Sequence, residues 1–381
     1  MRLVYLSDAP LPSRMAYSVH VMKMCQAFAS LGHEVTLLAV DNRAQEETSG
    51  GDLFAHYGVR PSFQIELLRF PGFKGGWLLH AWRSARRAVR LQPDLLFGRY
   101  LRGLFMAWVL GSRSVFEIHL PPARLDPVSR LMFRVLERKG GVKMLVVISD
   151  VLRCLVEDQC RLRPVLVAHD GADLPAVGQP APEPLPGAFP VGYFGNLYAG
   201  RGIELIVELA RLVPEASFHL VGGREQELRQ RLQTQAPANV TLHGYVSPAR
   251  VLAMQRQCRA LLMPYQRVVS VPGLGDTSQW MSPLKMFEYM ASGAAIISSD
   301  LPVLREVLRD GDNALLAPPE APAAWAAALR RLMSEPELAG SLARRAYDDL
   351  AQHYTWQGRA RLILEHLAGQ PDGLPAGRAK G

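Results

Sequence analysis

The chain has 381 residues, 49% hydrophobic and 20% charged, which is long enough for two domains and too apolar for wholesale disorder. Its formal net charge is +8, and the excess sits in front, where residues 1–185 carry 23 Lys/Arg against 17 Asp/Glu. No zinc-finger, RNP or helix-turn-helix pattern accompanies that charge, so nucleic acid is not the expected partner. Arg2 to Ser7 reads as a strand, without the charged and apolar regions of a secretory leader, and no later apolar run is long enough to span a bilayer. The expected location is the cytoplasm. Tyr17 to Leu31 is a predicted helix ended by Gly32, and Glu34 to Ala39 a second strand. Trp77 to Arg90 sets tryptophans and leucines beside four arginines on a helix-like segment. That composition suits a helix lying on anionic lipid head groups at the inner face of the membrane, or an ordinary surface helix with arginine on its wet side. Further buried strands are predicted at Leu95 to Phe97, Ser114 to Ile118, Met144 to Ile148 and Val165 to Ala168.

The segment from Asp173 to Gly187 is rich in proline and glycine and reads as a linker, with its bounds set at 175–188. The pattern then restarts. Val191 to Phe194 (strand), Ile203 to Leu212 (helix), Ser217 to Val221 (strand) and Gln226 to Gln235 (helix) are followed by a strand at Val240 to Leu242, a helix at Pro248 to Arg256 and a strand at Ala260 to Met263. After the segment Ser282 to Gly293 come a strand over Ala294 to Asp300 and a helix from Val303; Pro322 to Met333 and Leu338 to Gln352 are helices, and a final helix follows Trp356. Two α/β halves in tandem result. The first βα connection, Ser7 to Pro12, has no Gly-x-Gly-x-x-Gly and is too rich in proline to wrap a pyrophosphate, which argues against a nicotinamide dehydrogenase. Cys25, Cys154, Cys160 and Cys258 show neither metal-ligand nor disulfide-framework spacing and are expected to be reduced packing residues.

Ser282-Pro283-Leu284-Lys285-Met-Phe-Glu288 is the most specific stretch. Ser282 suits an N-cap and Pro283 the first helical position, so free N–H groups, the helix dipole and Lys285 converge on an anion. Glu288, one turn on, is placed to accept from ribose hydroxyls, with a plain solvated Lys285–Glu288 pair as the alternative. His119 and Arg99 each follow a buried strand at its carboxyl end, the edge where doubly wound sheets place ligands.

With the glycine loop at Gly195 and with Arg201-Gly202, these features resemble the retaining family-4 glycosyltransferases of the GT-B fold. The resemblance implies an α/β protein of two Rossmann-like domains facing across a cleft: an acceptor domain over 1–174, a nucleotide-sugar domain over 189–353, a helix at 354–368 crossing back to the first domain, and a tail at 369–381. The family's phosphate pair falls on Asn196 and Arg201, of which only Arg201 keeps the charge, and Lys285 supplies the second cation. Glu288 matches the second glutamate of the family's Glu-x7-Glu motif. Gly222-Gly223 and Gly244-Tyr245-Val246 look like its nucleobase walls, and His119 resembles its active-site histidine, which meets the donor sugar. The loop from Pro10 to Tyr17 is similar in position to the acceptor loop. Trp280 departs from the pattern, standing where the family has its first glutamate, and its indole is suited to stack on a sugar.

The activity so implied moves a sugar from a nucleoside diphosphate to a carbohydrate or lipid-linked acceptor, in cell-surface polysaccharide or glycolipid synthesis. Configuration is retained, and the donor phosphate takes the acceptor proton. No Asp-x-Asp with metal-site context is present, so the expectation is that protein cations replace a divalent ion. His119, Arg201 and Lys285 are the expected catalytic set. A sugar-nucleotide epimerase of the same fold and a non-catalytic partner subunit remain alternatives, the latter because Trp280 and Asn196 replace polar groups of the family.

Overall fold

The apolar runs form strands that are buried on both faces, which is why they read as continuous rather than alternating. The computed structural model describes residues 1–44, 52–175, 184–197, 199–223, 230, 232, 236–271 and 275–370. The helix expected over 226–235, most of the linker and the tail beyond 370 lie outside these residues. The chain divides into two compact units, Met1–His169 together with the segment from Trp356 onward, and Asp170–Thr355.

In the front unit the strands are β1 (Arg2–Leu11), β2 (Glu34–Asp41), β3 (Gln64–Arg69), β4 (Leu95–Gly98), β5 (Ser114–Glu117), β6 (Val142–Val147) and β7 (Val165–Val167). They form one parallel sheet in the order β3-β2-β1-β4-β5-β6-β7. Strand β1 does not stop at Ser7 as the sequence predicts. It shifts register after Leu6 and pairs again through Pro10 with Val40, so two prolines close to a strand end do not break it. Strand β3 went unpredicted because it is an edge strand, half-buried, in which charged and apolar residues mix. The helices are α1 (Ala16–Ser30), α2 (Leu53–Tyr57), α3 (Gly76–Arg90), α4 (Leu101–Val109), α5 (Pro127–Arg138) and α6 (Asp150–Gln159).

The back unit repeats the plan. Strands β8 (Pro190–Phe194), β9 (Ser217–Val221), β10 (Val240–Gly244), β11 (Ala260–Met263), β14 (Ala295–Ser299) and β15 (Leu315–Ala317) make a parallel sheet in the order β10-β9-β8-β11-β14-β15, and β12 (Ser270–Val271) pairs antiparallel with β13 (Gly275–Asp276). Helices α7 (Ile203–Leu212), α8 (Pro248–Gln255), α9 (Leu284–Ser292), α10 (Pro322–Ser334) and α11 (Pro336–His353) flank it. Neighbouring residues of β8 enter opposite faces: Tyr193 packs with Ile206, Leu209 and Trp325, and Phe194 with Met263, Phe287 and Met290. The helix predicted from Val303 is a series of turns. There Asn313 accepts from the Arg309 N–H at 2.7 Å and donates to the Val307 carbonyl at 3.0 Å, closing the run with side-chain bonds. The last helix, α12 (Trp356–Ala368), packs on α1 within the front unit.

Each sheet has a switch point where strand order reverses, between β1 and β4 in front and between β8 and β11 behind. Ligands of doubly wound sheets lie outside the carboxyl ends of such strands.

Candidate active site

At the switch point of the back unit, two glycines bring three strand ends together. The Gly195 N–H, just past β8, donates to the Val221 carbonyl at 2.9 Å, and the Gly222 N–H, just past β9, to the Gly244 carbonyl at 2.6 Å. Gly222 has φ +120°, and a Cβ there would sit 2.2 Å from the Gly195 carbonyl oxygen. A side chain at Gly195, whose φ is +146°, would fall 2.6 Å from Lys285 Nζ. The missing side chain is therefore the space the ammonium occupies.

Lys285 Nζ stands 4.0 Å from the centre of the Tyr193 ring and 5.3 Å from that of Tyr265, and the Arg201 guanidinium lies 4.9 Å from the Tyr265 ring. The aromatic faces attract both cations. Burial first, and then the Arg201 charge, push the Lys285 ammonium well below its ordinary pKa, with Glu288 acting in the opposite direction. Two cations held against one ring repel each other, and an anion between them would relieve both the repulsion and the desolvation. The Tyr193 hydroxyl donates to the Asn196 carbonyl at 2.7 Å, so the Asn196 backbone is fixed directly beside Gly195.

Helix α9 begins one residue later than predicted. Ser282 is not its cap, because the Ser282 hydroxyl accepts from the Asp170 N–H at 3.2 Å; Pro283 takes the cap position with extended backbone, and no side chain caps the helix. Trp280 is buried at 5% exposure, in the turn where its backbone N–H donates to the Thr277 carbonyl, so its ring offers no open face for stacking a sugar. Gly223 follows Gly222 with φ +103°; Tyr245, 36% exposed, and Val246, packed on the core, follow Gly244.

In the front unit the Arg99 guanidinium lies 4.1 Å over the Tyr17 ring, and the Tyr17 hydroxyl donates to Asp8 and is 3.0 Å from Ser7 Oγ. Burial and the Asp8 charge raise the Tyr17 phenol well above its usual range. His119, 15% exposed, donates from Nε2 to Glu117 Oε1 at 2.6 Å. The structure thus brings Gly195, Arg201, Lys285 and Gly222 to one place, and Tyr17 and Arg99 to another. Sequence reasoning missed Tyr193, Tyr265, Glu117 and Arg359. Glu117 alone carried a signal, as a charged residue inside an apolar run. All four cysteines are free, with only Cys154 exposed. Among the described residues no helix is long and apolar enough to cross a membrane.

Two family models match, glycosyltransferase family 4 over residues 18–175 and glycosyl transferases group 1 over residues 188–335. A phosphatidyl-myo-inositol mannosyltransferase of Mycolicibacterium smegmatis is 28% identical over 225 residues, which cover 55% of this chain and 53% of that protein. A D-inositol 3-phosphate glycosyltransferase of Nocardioides is 26% identical over 167 residues, 44% of this chain and 31% of that one. The chain therefore spans about half or less of the curated relatives it matches. HepE of Anabaena, solved in complex with UDP-glucose, superposes with a TM-score of 0.70 at 14% identity, over 97% of this chain and 100% of that one. The parallel sheets of both units, the two family matches and the likeness of fold lead to one conclusion: the chain belongs to the family-4 glycosyltransferases of the GT-B fold.

Proposed function

We propose that this chain transfers a sugar from a nucleoside diphosphate, with retention of anomeric configuration, to a carbohydrate or lipid-linked acceptor of cell-surface polysaccharide or glycolipid synthesis. The observation that carries this reading is the pair of cations, Lys285 and Arg201, held on Tyr265 beside the side-chain-free Gly195. Transfer breaks the bond between the anomeric carbon and the β-phosphate oxygen, and the electron pair leaves with the phosphate. The acceptor oxygen bonds to the anomeric carbon on the same face, and its proton passes to the departing phosphate. Lys285 and Arg201 stabilise the charge that grows on that phosphate, in the role a divalent ion would otherwise fill. Glu288, on the helix that carries Lys285, takes the ribose hydroxyls, and Tyr245 with Val246 borders the base. His119, Arg99 and Tyr17 of the front unit handle the carbohydrate substrates. HepE, solved with UDP and with UDP-glucose, makes a uridine donor the first to try.

The test is incubation with UDP-glucose and a panel of sugar and glycolipid acceptors, with the anomeric configuration of the product read by NMR. An α-linked product that forms equally well in EDTA is the expected result. An epimerised donor in the absence of acceptor would replace this reading by the epimerase, and failure to turn over any nucleotide-sugar would favour a non-catalytic subunit.

The proposed acceptor class also draws on the outer surface of α3. Leu78, Leu79 and Trp82 are exposed there beside Arg83, Arg86 and Arg90, and Phe73 and Lys74 are exposed just before the helix. Arg87 is not part of this face, since it pairs with Glu66 at 2.6 Å. Exposed apolar side chains among exposed positive charges match the interface of an anionic bilayer. In sedimentation with vesicles, the protein is expected to bind phosphatidylglycerol-containing membranes over pure phosphatidylcholine. Arg83→Ala with Arg86→Ala should weaken that binding by about 2 kcal/mol, at about 1 kcal/mol per charge. Equal binding to both vesicles would remove the membrane from the proposal.

A further inference from the structure

Behind His119 in the front unit lies a buried ionic cluster centred on Glu117. Glu117 ends β5 at 1% exposure, and its Oε1 accepts from His119 Nε2 at 2.6 Å and from Arg359 Nη2 at 3.0 Å, with His20 Nε2 at 2.8 Å. Three elements converge on one oxygen: α1 brings His20, the loop after β5 brings His119, and α12 brings Arg359. Arg359 is itself fixed, since its Nε donates to the carbonyls of His169 at 2.9 Å and Ala168 at 3.2 Å. Burial alone would raise the Glu117 carboxyl, but the Arg359 charge, His20 and the His119 hydrogen bond outweigh it and hold the group well below its usual range. An ionised carboxylate has no proton to give, so the hydrogen shared with His119 belongs to the imidazole and sits on Nε2. The His20 ring meets the His119 ring edge-on at 5.1 Å, and Trp356 meets His20 in the same way at 5.2 Å. The His119 ring is thus held by a hydrogen bond and by packing.

We propose that Glu117 is a positioning residue for sugar transfer: it locks the imidazole of His119, at the carboxyl edge of the front sheet, in one orientation and one tautomer for contact with a substrate hydroxyl. This rests on the proposed transfer reaction and on His119 touching substrate in it. Glu117 touches no substrate and acts through His119. Losing the carboxylate frees the ring to turn and to exchange tautomers, so a smaller share of bound substrate meets a competent imidazole. Turnover then falls while affinity holds.

Glu117→Gln keeps the size of the side chain and removes its charge. The expected result is a kcat lower by about 10- to 100-fold, a donor KM within about threefold of wild type, and loss of the single Nε2–H tautomer of His119 in nitrogen-15 NMR. In a His119→Ala background the same substitution should cost no further kcat. Equal losses in both backgrounds, or an unchanged His119 tautomer, would overturn the proposal. Should Glu117→Gln fail to fold, Glu117→Gln with Arg359→Met removes both charges and supports the same comparison. A wild-type protein inactive with every sugar donor would instead refute the transferase reading, and the tautomer measurement would still decide whether Glu117 positions His119.

Discussion

Replacing Lys285 or Arg201 with alanine is expected to weaken nucleoside diphosphate binding by roughly 1.5–3 kcal/mol each, the range for hydrogen bonds to charged groups, or about 10- to 150-fold in Kd. Tyr193 and Tyr265 hold both cations in place, so a phosphate meets preformed charge and little order is lost on binding. The sign of the pH dependence follows from Lys285. Its pKa is lowered in the fold, chiefly by burial, so the unfolded chain binds the proton more tightly. The stability of the ligand-free protein should therefore rise with pH through the window between the lowered value and the usual one near 10.4. Nucleotide affinity should fall across the same window, as the ammonium is lost. Titration calorimetry with UDP at several pH values measures the affinity, and chemical denaturation of the ligand-free protein at the same pH values measures the stability. Affinity unchanged in either variant would remove that residue from the site.

Arg359→Met is expected to produce the largest loss of stability, about 3–5 kcal/mol, because breaking a buried pair strands the remaining charge. Among the described residues Glu117 would keep only the imidazoles of His20 and His119 as partners, at 1% exposure. In wild type the Glu117 pKa is depressed, so its contribution is fully present above the unfolded value, near 4.3, and is lost only as pH falls through the lower folded value. In the variant the buried carboxylate favours its protonated form, so the deficit should shrink as pH is lowered from 8 to 5. Chemical denaturation of both proteins at these two pH values measures it. A deficit independent of pH would mean that lost packing, rather than stranded charge, is the cause.

Most strands of both sheets were legible because buried parallel strands are continuous apolar runs. Ser217 to Val221 and Ala260 to Met263 match β9 and β11 residue for residue. Half-buried edges were not legible: β3 mixes glutamine, glutamate and arginine with its apolar residues, and nothing in that pattern sets it apart from a loop. The gathering of Arg201 and Lys285 beside Gly195 was legible, because those residue types are demanded by charge and by space. Its aromatic floor was not, because Tyr193 and Tyr265 look like any other tyrosine at a strand end until three-dimensional distance joins them. Ser282 shows a local rule overridden from afar. Its hydroxyl suited a cap, but a backbone donor more than a hundred residues away in sequence claimed it.

The front unit is assembled from two stretches far apart in sequence, whereas the back unit is the single uninterrupted stretch between them. A ribosome therefore completes everything the back unit needs while Glu117 still awaits its guanidinium. A product stopped at Thr355 would leave Glu117 without its guanidinium and α1 without the helix that packs on it. Completion of the earlier-synthesised unit is thereby tied to translation of α12.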